Sequence, residues 1–183
     1  MGLQVPDDYE PLDREKLQRG LAEAARRLMT VNQERAAAIV AGANLEESLG
    51  EALSGFMVEG QESERLVRDN LRDFGSRIRF VFSLGLISKD EFKDLDTVRK
   101  IRNHFAHEKE CSFEDRKVVD LCGNLLIPKQ RPDLFDGLSP YETFEAVALV
   151  LSENLFDRAW QAKKVRCTTP EEIDSRKWEE YWC

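Results

Sequence analysis

Phe74-Gly75-Ser76-Arg77-Ile78-Arg79-Phe80-Val81-Phe82-Ser83-Leu84-Gly85-Leu86-Ile87-Ser88-Lys89-Asp90-Glu91 is the stretch that decides the fold. Together with the residues before it, Val67, Leu71, Phe74, Ile78, Val81 and Phe82 recur at intervals of four, three, four, three and one. That spacing draws a continuous apolar stripe along a helix. Gly85 falls where a left-handed helix cap is expected, and Leu86 and Ile87 supply the apolar contact that accompanies such a cap. Ser88 and Glu91 spell a capping box, which starts the next helix at once. The pattern predicts a tight antiparallel hairpin whose second helix runs over about 89–107.

Helical periodicity continues in both directions, and no alternating strand pattern or hairpin-type turn is found. Upstream, Leu17, Leu21, Ala24, Ala25 and Leu28 mark one segment, and Ala36, Ile39, Val40, Ala43, Leu49 and Leu53 mark another. Thr30-Val31-Asn32 is the expected break if these are two helices. Downstream, Ser112 with Asp115 is expected to open a fifth helix through about Leu126, and Pro128–Leu138 reads as a loop. Ser139-Pro140-Tyr141-Glu142 combines an N-cap, a proline at the first position and a glutamate at the third. It predicts a helix to about Lys164, with Phe144, Val147, Leu151 and Leu155 inward. Thr169-Pro170-Glu171-Glu172 repeats that signal and predicts a short C-terminal helix, docked through Ile173, Trp178, Tyr181 and Trp182. The expectation is an all-α, single-domain bundle of about six helices over 1–164, with a tail over 165–183.

The chain has 183 residues, of which 42% are hydrophobic and 34% charged, enough for a real core and a well-solvated surface. The net charge of −8 argues against coating DNA indiscriminately, since that mode depends on neutralising phosphates. No apolar leader, no bilayer-length apolar run and no Cys-x-x-Cys pair is present, so a cytoplasmic protein with free thiols and no membrane contact is expected. No phosphate-binding loop, nucleophile elbow or zinc spacing occurs, so neither a cofactor nor a metal is expected.

Both histidines of the chain lie in Arg102-Asn103-His104-Phe105-Ala106-His107. A helical wheel buries Leu95, Val98, Ile101 and Phe105 and leaves Arg102 on the shoulder of that side. Asn103 and His107 share an adjacent face, and His104 points elsewhere, toward solvent. An arginine suits a phosphate oxygen and an imidazole moves protons near neutral pH, so Arg102, His107 and Asn103 are the candidate catalytic residues. The structural alternatives are a guanidinium held by Glu46 or Glu47, and a histidine that merely caps its helix. Arg65, Arg68, Arg72 and Arg79 could form a phosphate-facing stripe, but interleaved acids favour a salt-bridged surface. Asp90, Glu91, Asp94 and Asp96 are assigned to the N-terminal dipole of their helix.

Arg102-Asn103-x-x-x-His107 is similar to the R-x4–6-H motif of the HEPN superfamily. The wider stretch, with Phe74-Gly75-Ser76-Arg77, Leu84-Gly85-Leu86-Ile87, Ile101 to His107 and Ser112-Phe113, resembles the mannitol-repressor family over about residues 45–127. The HEPN resemblance implies a helical bundle acting as a metal-independent endoribonuclease, usually a homodimer that pairs two motifs, and an antitoxin as possible partner. The mannitol-repressor resemblance implies a non-catalytic regulatory or protein-interaction module instead. A bundle that holds a nucleotide on Arg102 without cleaving it is the third expectation.

Overall fold

The hairpin turn is built as its residues dictate. In the computed structural model, which describes residues 14–169 (side chains from residue 29 onward and Arg26), helix α3 spans Phe74–Ser83 and α4 spans Lys89–His107. Gly85 takes φ 70°, where a side chain would be strained. Its amide donates to the Phe82 carbonyl at 2.9 Å, and the Leu86 amide donates to Val81 at 3.1 Å, so the cap is a Schellman motif. Ser88 then caps α4, with its hydroxyl accepting from Glu91 N and the Glu91 carboxylate accepting from Ser88 N.

The apolar stripe upstream does not run along one helix. A short α2 (Gln61–Arg65) passes into a π-helical turn (Leu66–Asn70), and the chain breaks at Leu71 before α3. Asp73 restarts it, its carboxylate accepting from the Ser76 amide. Leu71, Phe74, Ile78 and Val81 are buried all the same, while Phe82 is exposed. Arg77 bridges the break, donating from Nε to the Leu71 carbonyl and from Nη1 to the Glu46 carbonyl, each at 2.7 Å.

Helix α1 is one element, Arg14–Phe56, and the expected break at Thr30-Val31-Asn32 does not occur. The Thr30 hydroxyl bonds back to the Arg26 carbonyl at 3.1 Å, which lets the residue stay helical. Its inward face is Ala38, Gly42, Leu45, Leu49, Ala52 and Leu53, whereas Ala36, Val40 and Ala43, expected on the apolar face, are exposed. The stripe through Leu17 to Leu28 lies outside the described side chains.

The fifth helix is shorter than expected: α5 is Arg116–Cys122, with Asp115 rather than Ser112 at the N-cap position. The loop that follows holds two single turns, α6 (Ile127–Gln130) and α7 (Pro132–Phe135). Helix α8, Pro140–Lys164, begins at the expected capping box and buries Phe144, Val147, Leu151 and Leu155. Beyond it, Cys167 N bonds the Phe56 carbonyl at 2.7 Å, and Arg166 reaches the Gly55 carbonyl. The C-terminal helix expected from Thr169-Pro170 onward lies outside the described residues.

Among the described residues there is no strand, and α1 packs along α8 and α4 to form an all-α single-domain bundle. Phe113, in the α4–α5 connection, stacks at 4.8 Å from Phe105 and 5.1 Å from Phe144. Such aromatic pairs add about 0.5–1.5 kcal/mol each beyond their buried area. They fix the end of α4 against α8, and that is where the candidate residues lie.

Candidate functional site

Leu95, Val98, Ile101 and Phe105 are fully buried, as the wheel requires, and this sets the direction of everything else on α4. Arg102 is half-buried against α1. Its stem passes over Gly42 so closely that a Cβ there would lie 2.7 Å from Arg102 Cγ. Neither Glu46 nor Glu47 pairs with the guanidinium. Nη1 donates to Asn103 Oδ1 at 2.9 Å, and Nε is buried without a partner.

The other candidates face a shallow groove between the end of α4 and α5. Lys100, Asn103, His104, His107, Glu108, Lys117 and Leu121 line it, and Arg102 is not among them. The motif therefore divides around the helix, with Asn103 touching both parts. His104 departs from expectation: it lines the same groove as His107, and it is the half-buried imidazole whereas His107 is exposed. Residues three apart on a helix are neighbours, which brings both imidazoles to one groove.

The backbone under the groove is held from α1. Arg35 donates from Nη1 to the Glu108 carbonyl and from Nη2 to the Ala106 carbonyl, both at 3.2 Å, satisfying groups at the end of α4. Glu34 accepts the Phe113 amide at 2.9 Å. Between them the connection folds back so that His104, Cys111 and Asp115 converge, their nearest donor atoms all within 4.8 Å of one another. Burial, reinforced by the Asp115 carboxylate, pushes the Cys111 thiol up to about 12. Sequence spacing gave no sign of this cluster, because its members lie on a helix, a loop and an N-cap.

Asp94 also departs from expectation. It does not serve the dipole of its own helix but is buried, with Oδ1 accepting Leu126 N at 2.7 Å and Oδ2 accepting Ile127 N at 2.9 Å. Burial raises its pKa, partly offset by those two amides. Three arginines of the stripe form surface ion pairs, Arg65 with Glu62 and Arg68 and Arg72 with Asp69, while Arg79 donates to the Ser76 hydroxyl. No described helix is long and apolar enough to cross a membrane.

Compared with known proteins, the chain matches no curated protein and no solved structure. Residues 67–147, which carry the hairpin, the groove and the first turns of α8, match the model of the mannitol repressor family.

Proposed function

We propose that this chain is a regulatory protein of mannitol-repressor type, acting by binding rather than by catalysis, with the α4–α5 groove as its contact surface. The carrying observation is the family match over 67–147, which contains every residue of that groove. The placement of Arg102 supports it, since its stem packs over Gly42, its guanidinium bonds Asn103, and the residue does not line the groove. With a net charge of −8, the partner favoured is a protein rather than bare DNA. Transcripts of mannitol-use genes test this. Loss of the chain should raise them severalfold, and the pair His107→Glu with Lys117→Glu should do the same while the fold persists by circular dichroism. Unchanged transcripts in both strains would overturn the proposal.

A second reading, metal-independent RNA cleavage in the cytoplasm, is favoured by Asn103, which touches the Arg102 guanidinium and also borders the groove of His107. In that chemistry a ribose 2′-oxygen loses its proton to one imidazole as it attacks phosphorus, and a second imidazole protonates the leaving 5′-oxygen. Arginines stabilise the phosphoryl charge. A homodimer would supply two motifs, and an antitoxin would restrain it. The expected result is cleavage of single-stranded RNA in the presence of a chelator, leaving 2′,3′-cyclic phosphate ends. His107→Ala and Arg102→Ala should abolish it; equal survival of RNA with wild type and His107→Ala rejects this reading.

A further inference from the structure

We propose that His104, Cys111 and Asp115 form a binding site for a thiophilic divalent ion of the zinc type, with a fourth position left for water or another ligand. The cluster brings one nitrogen, one sulfur and one oxygen donor to within 4.8 Å of each other. Zinc bonds of about 2.0–2.3 Å in a tetrahedron place donors roughly 3.3–3.7 Å apart, so contraction by about 1 Å through side-chain rotation completes the set. Thiolate with imidazole selects zinc-like ions over magnesium or calcium, which prefer oxygen alone.

The surroundings fit a cation. Cys111 is buried in the core, 2% exposed, and its thiol faces the Asp115 carboxylate. Asp115 is oriented by the Ser112 amide at 3.2 Å, the kind of supporting bond that metal-binding carboxylates use. Glu108 and Glu34 add negative potential at the thiol. On binding, the thiol proton leaves to solvent, and thiolate and carboxylate balance the two charges of the ion. His104 also borders the groove that Asn103 and His107 line. The ion ties the end of α4 to the N-cap of α5, and the site shares His104 with the groove.

Cobalt(II) is the probe, added to the full chain carrying Cys167→Ser and Cys183→Ser so that exposed or terminal thiols do not contribute. One equivalent should give a near-ultraviolet thiolate-to-cobalt charge-transfer band, displaced by zinc. Cys111→Ser should abolish the band, and Cys122→Ser should leave it intact. His104→Ala and Asp115→Asn should each weaken zinc binding by at least about tenfold, the lower end of what even supporting residues cost at such sites. Absence of the band at one equivalent, or its persistence in Cys111→Ser, overturns the proposal. If Cys111→Ser fails to fold, His104→Ala decides: wild-type zinc affinity in that variant overturns it equally.

Discussion

Asp94 and Arg102 are charged residues two turns apart on α4, and the bundle treats them in opposite ways. Asp94 is wholly buried, yet each of its oxygens takes a backbone amide, so the α5–α6 connection is stitched to α4. Arg102 is only half-buried, but its Nε is sealed off with nothing to donate to. The difference teaches that the N-terminal half of α4 uses the acceptor oxygens of a buried carboxyl to hold the fold. The C-terminal half tolerates an incompletely satisfied charge, and it is this half that borders the groove.

Asp94→Ala is expected to have the largest effect, because it leaves two half-buried amides without their acceptor and frees the connection. A loss of about 2–4 kcal/mol follows from leaving such donors unpaired. Urea denaturation measures it, and a loss below about 1 kcal/mol would break the contrast. The same site predicts a pH dependence. A carboxyl whose pKa is raised in the folded state gives its full stability below the ordinary carboxylate range and loses it as pH rises through the raised value. Wild type should therefore lose stability relative to Asp94→Asn as pH rises across that window. The opposite slope would mean that the two amides outweigh burial.

Gly42→Val tests the other end. Its branched side chain would meet the Arg102 stem where even a Cβ lies at 2.7 Å, and overpacking of this kind costs about 1–3 kcal/mol. Combining it with Arg102→Ala should recover much of the loss, which a double-mutant cycle reads directly. Additive losses would show that α1 and α4 do not depend on that approach.

The smallest change is expected from Arg102→Met. It keeps the apolar stem over Gly42 and removes the orphaned donor, so stability should move by less than about 1 kcal/mol in either direction. A loss comparable to that of Asp94→Ala would make the guanidinium a structural group and remove it from any functional role.

Much of this molecule was legible because its signals are local. The Schellman turn at Gly85 and the capping boxes at Ser88 and Ser139 close hydrogen bonds within five residues, so neighbouring residue types specify them. The inward stripes of α4 and α8 follow from one helical period and are buried as expected. In α1 the same reasoning failed. Exposed Val40 and Ala43 are as apolar as buried Ala38, and a propensity penalty of a few tenths of a kcal/mol at Thr30, whose hydroxyl bonds back to the Arg26 carbonyl, does not break the helix.

What the sequence determined by itself was the class of fold, the hairpin and the segment where both histidines gather. What only the tertiary structure decided was which side chains meet. The acceptor for two amides 32 and 33 residues away is Asp94, the glycine beneath Arg102 is Gly42, and the neighbours of His104 are Cys111 and Asp115. The physical reason is range: caps and turns are settled by bonds between near neighbours in the chain. The environment of a charge or an imidazole depends on how separate helices dock, and docking is set by the whole core at once.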